Sequence, residues 1–290
     1  MGLRSEQTMK KLTQLSAFSW YGGKTCHLSW LLPIIDSIPH TAYVESFAGS
    51  AAILLNKIPS PVEVYNDVHG EVVNFFKMLR QHGPELLSAL ELTPYSREEF
   101  AFCCEQKEGS SIERARRFFV LARQVRNGLA TKASVGRWSY TKKDARRNRA
   151  LTVSQWLTAI DGLEPITNRL KNIQIENLDA LDIIQRYDTE ETLHYVDPPY
   201  LMSARTGGVN YAHEFSDEEH LKLLKLLITL KGKVVLSGYI NELYPSVLIG
   251  WHEYKSIPKF ANSTLQNGEK KERQEIIWTN FPCEAGELIC

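Results

Sequence analysis

No stretch of this 290-residue sequence is apolar for long enough to cross a membrane, and its start, Met1 to Lys11, is too polar to form a signal peptide. A cytoplasmic protein is expected. Cysteine is scarce and badly placed for structural chemistry: five residues, at 26, 103, 104, 283 and 290, with no C-x-x-C pair and no His cluster at metal-ligand spacing. That disfavours a disulfide framework or a zinc site, and no metal is expected. The G-x-G-x-x-G of nicotinamide enzymes and the G-x-x-x-x-G-K-[ST] of phosphate loops are both missing. Net charge is missing too, with 34 Lys plus Arg against 34 Asp plus Glu. Internal repeats and low-complexity tracts are absent.

What remains is an ordinary globular composition, 43% hydrophobic and 23% charged, in a chain long enough for one large domain with an insertion. Trp20-Tyr21-Gly22-Gly23-Lys24 precedes an apolar segment, Leu28 to Ile35, expected to start a helix that Pro33 interrupts. The glycines let backbone approach a ligand, and Lys24 and its aromatic neighbours offer a charge and stacking faces; taken alone, it is an ordinary turn. Thr41 to Glu45 reads as a strand, followed by the small-residue loop Ser46 to Ala52 and a helix over Ile53 to Lys57. Such a loop brings backbone N–H groups to a strand end, where a polar cofactor docks. A second strand, Val62 to Tyr65, ends at Asn66-Asp67. An acid about 20 residues past the loop is where a doubly wound fold holds a ribose, although Asn and Asp also cap helices.

From about Gly83 to Leu163 the pattern turns helical, with segments Pro84 to Leu90, Ser96 to Glu105, Ser111 to Gln124 and Val153 to Leu163. Between Arg114 and Arg149 there are twelve basic residues and one acid, Asp144, so the remainder of the neutral chain is acidic. Asn127, Gly128, Ser134, Gly136, Trp138, Ser139 and Tyr140 lie among these charges. Cations for phosphates with directional and flat groups for bases point to nucleic acid rather than to a merely solvated face.

The α/β pattern resumes with a strand at Ile173 to Glu176, then Asp179 and a helix over Ala180 to Tyr187. A buried strand, Thr192 to Val196, runs into Asp197-Pro198-Pro199-Tyr200, where the prolines end it and fix a carboxylate and a ring at its carboxyl end. A polar loop, Ser203 to His213, is expected to close over a substrate. Ser216 to Glu219 forms a capping box, and Leu221, Leu224, Leu227 and Ile228 make one apolar face of a helix that Gly232 ends. Lys233 to Ser237 and Glu275 to Thr279 read as strands, and Lys255 to Lys271 as a polar loop.

These motifs, in this order, resemble the Dam-type adenine-specific DNA methyltransferases over about Phe18 to Asn280. Trp20 to Lys24 resembles the family's N-terminal aromatic-Gly-Gly-Lys motif, Val44 to Ala52 its cofactor loop, Asn66-Asp67 its second acidic motif and Asp197 to Tyr200 its catalytic motif. Ser46 stands where the family usually has Pro, and Ala51 where it often has Gly. The resemblance implies an α/β fold, a Rossmann-like S-adenosylmethionine-dependent methyltransferase sheet, with an inserted, mostly helical DNA-recognition subdomain. The expected division is a polar tail over 1–17, a catalytic domain from 18–83 and 164–290, and the recognition subdomain over 84–163.

The implied reaction is methyl transfer from S-adenosylmethionine to the exocyclic amino group of a flipped adenine in double-stranded DNA. Asp197, Pro198, Pro199 and Tyr200 are the expected catalytic residues. Asp197 and the Pro198 carbonyl would accept from the amino hydrogens, and Tyr200 would stack on the base. Trp20, Tyr21, Gly23, Lys24, Glu45, Phe47, Gly49, Asp67, Asp179 and Asp197 are expected around the cofactor, with Asp67 on the ribose. Arg123, Arg126, Asn127, Lys132, Arg137, Trp138, Lys142, Lys143, Arg146, Arg147 and Arg149 are expected on DNA. A monomer or weak dimer is expected in a bacterial cell, from a host, phage or mobile element, with a cognate restriction enzyme as a candidate partner. Cytosine amino methylation, RNA as substrate and an inactive DNA-binding relative are the alternatives.

Overall fold

The computed structural model describes residues 14–126, 130, 133–201, 214–264 and 270–283. Asn127, Lys132 and the whole of the predicted loop Ser203 to His213 lie outside them.

A 3-10 turn, Lys24–His27, leads into α1 (Leu28–Ser37), and β1 (Ala42–Glu45), α2 (Ala52–Asn56), β2 (Val62–Asn66) and α3 (Gly70–Gln81) follow. The helical stretch comprises α4 (Gly83–Glu91), α5 (Arg97–Glu105), α6 (Ser111–Gln124), a short hairpin of β3 (Ala145–Arg146) and β4 (Arg149–Ala150), α7 (Leu151–Asp161) and α8 (Leu163–Leu170). The chain then alternates again through β5 (Gln174–Glu176), α9 (Ala180–Arg186), β6 (Thr192–Val196), α10 (Asp217–Leu227), β7 (Lys233–Tyr239) and α11 (Leu243–Val247). It finishes with β8 (His252–Lys255), β9 (Lys259–Thr264), β10 (Lys270–Arg273) and β11 (Glu275–Thr279).

Seven strands form the main sheet in the order β5-β2-β1-β6-β7-β11-β8. The first five run parallel, and β11 is antiparallel to both neighbours. All five residues of β6 are buried, as a central strand covered on both faces requires. Leu193 and Tyr195 join the cluster on one face of the sheet, and Val196 joins the other. Strand order reverses between β1 and β6, so the loops after these two strands diverge and leave a crevice at their carboxyl ends. Glu45, Asn66 and Asp197 all leave the sheet at that edge.

The helical stretch shares the larger cluster. Phe75 on α3 stacks on Phe119 of α6, with ring centroids 5.5 Å apart and planes 6° apart. Phe18 meets Phe118 edge to face at 5.2 Å.

Several expectations are corrected. α1 runs through Pro33: one N–H bond is lost, but Leu28, Trp30, Leu31, Ile34 and Ile35 are buried along its length and hold the helix together. The end of the expected tail is docked, since Leu15 N donates to Asn56 Oδ1 at 2.8 Å and Ala17 is buried. The capping box on Ser216 is present, but α10 buries His220, Leu223, Leu224 and Leu227, leaving Ile228 half exposed. α10 ends at Leu227, five residues before Gly232; the Gly232 N–H instead donates to Asp188 Oδ1 at 2.9 Å at the entrance to β7. Lys255 to Lys271 is not one polar loop, because β9 and β10 pair as an antiparallel hairpin within it.

Candidate active site

The loop after β1 is tied to the ends of β2 and β5 by hydrogen bonds from Asn66 and Asp67. Asn66 is fully buried; its Nδ2 donates to the Ser46 carbonyl at 3.0 Å and to the Leu178 carbonyl at 3.1 Å, while its Oδ1 accepts from Leu178 N at 3.0 Å. Gly49 N donates to Asp67 Oδ2 at 2.8 Å, and His69 N to Asp67 Oδ1 at 2.8 Å. Asp67 thus pins the loop, and His69, not Asp67, caps α3. Gly49 has a φ of +49°, and a Cβ there would collide with the Trp20 indole. Only glycine meets both conditions. Asp179 caps α9 through Leu181 N at 2.8 Å.

Around this loop lies a cavity of about 490 Å³. Trp20, Tyr21, Gly23, Lys24, Glu45, Phe47, Asp67, Asp179, Asp197 and Pro199 line it, drawn from positions 20 to 199 of the chain. Ser46 and Ser50 of the expected cofactor loop line it too, and so do His69, Glu214, Phe215 and Glu219, which the sequence did not single out for the site. Gly49, Pro198 and Tyr200 do not form its wall.

Asp197 directly follows β6 and meets a cation at once. Lys24 Nζ donates to Asp197 Oδ1 at 2.6 Å and Oδ2 at 2.5 Å, and also to the Gly22 carbonyl at 3.1 Å. A second carboxylate, Glu275 at the start of β11, is 3.4 Å from the same ammonium and accepts from the Tyr200 hydroxyl. Tyr200 is buried, with the Tyr239 ring edge-on at a centroid distance of 4.6 Å and Lys24 Nζ 4.9 Å from its own centroid. The turn is fixed from behind by His220, which is fully buried. Its Nε2 lies 3.0 Å from the Pro199 carbonyl and its Nδ1 2.9 Å from the Tyr244 hydroxyl. A carbonyl only accepts, so Nε2 carries the proton and Nδ1 accepts from Tyr244.

Burial pushes the Asp197 carboxyl up to about 6; the Lys24 ammonium opposes this and the Glu275 charge adds to it. Burial alone would lower the Lys24 pKa, but Asp197 and Glu275 hold it above the usual lysine range, so Lys24 is a permanent cation. Glu45 is pushed up to about 8 by burial, although it accepts from the Tyr43 hydroxyl at 3.1 Å and from Leu54 N at 2.9 Å. Paired acids with raised pKa values in a cleft mark a functional site.

The expected DNA contacts divide by exposure. Arg126, Lys142, Lys143, Arg146, Arg147 and Arg149 are exposed, whereas Arg123, Arg137 and Trp138 are half-buried. Three of the basic residues counted in the charge run serve the fold instead. Arg114 pairs with Glu71 of α3, Arg116 with Glu99 of α5 and with Glu113, and Arg117 with Glu113, all acids outside the run. The β3–β4 hairpin, not foreseen, turns through Arg147 at φ +55° and Asn148 at φ +59°, the left-handed pair of a two-residue hairpin turn. Arg97 lies 4.7 Å from the Trp138 ring centroid and 5.6 Å from that of Tyr140.

A doubly wound sheet with its sixth-placed strand reversed, and an acidic, aromatic cavity at its switch point, define a Rossmann-like methyltransferase. The model of the D12 class N6 adenine-specific DNA methyltransferase family matches residues 20–260, which include all four motifs. The chain belongs to that family, and is an adenine-specific DNA methyltransferase. Among curated proteins none matches. A solved structure described as "Putative methyltransferase yhhF from Escherichia coli" is similar at a TM-score of 0.35 and 13% identity, over 88% of this chain and 82% of that one.

Proposed function

We propose that this protein transfers a methyl group from S-adenosylmethionine to the N6 amino group of an adenine flipped out of duplex DNA. The observation that carries this is Asp197: a carboxylate at the end of the central strand, on the wall of the same cavity as Asp67 and Asp179.

The residues present suit the cofactor. Asp67, held in place by the Gly49 and His69 N–H groups, puts a carboxylate on the cavity wall where ribose hydroxyls can donate to it. Trp20, Tyr21 and Phe47 offer flat apolar surface. When bound, the cofactor supplies an electrophilic methyl group on a sulfonium. Asp197 and the Pro198 carbonyl accept from the two amino hydrogens, which draws the nitrogen lone pair out of the ring and aims it. His220 occupies the neighbouring Pro199 carbonyl and so keeps the turn in one conformation. Tyr200 supports the base; in this structure its ring is buried, and stacking on adenine requires Lys24 to leave its face. Extrusion of the base costs about a few kcal/mol, offset by phosphate contacts from the basic surface of residues 84–163, the recognition subdomain.

The test is methyl-labelled cofactor with duplex DNA, followed by digestion to nucleosides. Labelled N6-methyladenine nucleoside is expected from the wild type, and none from Asp197→Ala, which still binds DNA and cofactor. Label on cytosine, transfer to RNA alone, or turnover by Asp197→Ala would overturn this function.

A further inference from the structure

Glu275 is 2% exposed and does not line the cavity, yet it touches the groups that do. It accepts from the Tyr200 hydroxyl, lies 3.4 Å from Lys24 Nζ through Oε1, and 4.0 Å from His27 Nε2 through Oε2. Its own backbone is held by Ser256, which donates N–H to the Glu275 carbonyl at 2.8 Å and accepts from Glu275 N on Oγ at 3.1 Å. A carboxylate that is rigidly mounted, buried and kept out of the reacting space acts through its neighbours. The buried Glu275 and the partly exposed Asp197 share one ammonium, and that ammonium sits on both oxygens of Asp197. An amino group docking on Asp197 competes with it, and the next anion within reach is Glu275.

We propose that Glu275 is a positioning residue for methyl transfer: it anchors Tyr200 by its hydroxyl and receives the Lys24 ammonium as the acceptor amino group takes the Asp197 oxygens. This rests on the function proposed above. It carries an electrostatic consequence. The groups facing Asp197 are Lys24 from the 3-10 turn, Glu275 from β11, Tyr195 from β6, Glu45 from β1, Tyr244 from α11 and Tyr200 from its own loop. Among them, Glu275 raises the proton affinity of Asp197 and Lys24 lowers it. Glu275→Gln removes the repulsion and leaves the attraction.

The experiment compares wild type, Glu275→Gln, Glu275→Asp and Tyr200→Phe by single-turnover methyl transfer, DNA and cofactor affinity, melting temperature, and titration of the Asp197 carboxyl by carbon NMR. Glu275→Gln is expected to lose about tenfold or more in rate with affinities unchanged within about twofold, and Asp197 to titrate about half to one pH unit lower. Glu275→Asp keeps the titration of wild type at a reduced rate, and Tyr200→Phe loses rate with Asp197 titrating higher, the opposite direction from Glu275→Gln, because the Tyr200 hydroxyl helps to hold Asp197 charged. A purely structural role would lower the melting temperature and leave the Asp197 titration in place. A Glu275→Gln protein with wild-type rate, or with Asp197 titrating as in wild type, overturns the proposal. Should Glu275→Gln not fold, Glu275→Asp at full rate overturns it. Absence of transfer by the wild type would reject the function instead, and the NMR titration would still decide the link between Glu275 and Asp197.

Discussion

Replacing Lys24 with methionine keeps an unbranched side chain one atom shorter and removes the cation between Asp197 and Glu275. Lys24 Nζ lies 2.5 Å and 2.6 Å from the two Asp197 oxygens. Two unit charges about 3 Å apart attract by about 5 kcal/mol at an effective dielectric of about 20, and observed shifts from one such neighbour are about 1 to 3 pH units. Asp197 sits at about 6 with Lys24 in place. Taking a shift of about 2 units, loss of the cation moves it to about 8. The ionised carboxylate is much the stronger acceptor for an amino hydrogen that gains positive charge, so activity is present above the Asp197 pKa and lost as pH falls through it. At pH 7 the ionised fraction drops from about nine tenths to about one tenth, so Lys24→Met should be about tenfold slow at pH 7 and recover by about pH 9. Single-turnover transfer at saturating cofactor and duplex, from about pH 5.5 to about pH 9.5, reads the acid limb directly. Saturation removes any loss of cofactor affinity, since Lys24 also lines the cavity. An active Lys24→Met enzyme whose acid limb stays near pH 6 would refute the electrostatic account of the site.

Gly49→Ala should weaken the cofactor loop on two counts: the left-handed backbone costs an alanine about 1 kcal/mol or more, and the new Cβ displaces the Trp20 indole. Calorimetry should show cofactor binding about tenfold or more weaker, and unchanged affinity would remove this loop from the site. Arg146, Arg147 and Arg149 surround the exposed β3–β4 turn, and replacing all three with Ala should weaken DNA binding at every sequence while flattening the dependence of log affinity on log salt by about one unit per lost phosphate contact. A slope equal to wild type would place that hairpin away from DNA.

The four motifs could be seen in the sequence because each combines a strand signal with a residue type that punctuates it: Pro198 and Pro199 stop β6, and Asn66-Asp67 stops β2. Local rules reach that far. They fail where packing chooses between alternatives. In α10, Leu221, Leu223, Leu224, Leu226, Leu227 and Ile228 permit more than one apolar face; the buried face, one residue from the expected one, is the one that carries His220 to the Pro199 carbonyl. β8, at the sheet edge with only Tyr254 partly buried and its other three residues exposed, lacks the apolar run that marked the central strands. The charge run gave the right sign for the surface and too large a magnitude, because the acids that neutralise Arg114, Arg116 and Arg117 come from α3, α5 and the first turn of α6, outside the span counted.

Glu275 was invisible for a different reason. In sequence it is the polar first residue of an apolar strand, a common and uninformative pattern. What gives it a role is strand direction. A parallel strand ends at the ligand edge of the sheet, but an antiparallel one begins there, so the first residue of β11 lies in register with Tyr239, near the end of β7. Tyr239 in turn meets the Tyr200 ring. The reversed strand therefore delivers a carboxylate to the place where the parallel strands deliver Glu45, Asn66 and Asp197. With Lys24 entering from the 3-10 turn, the site holds one ammonium between two carboxylates, an arrangement that leaves the cation a second resting place without leaving the protein. Lys24→Met and Glu275→Gln should thus move the acid limb of the same reaction in opposite directions, upward for the first and downward for the second. That opposition follows from the sign of each charge, and a loss of stability common to both variants would not reproduce it.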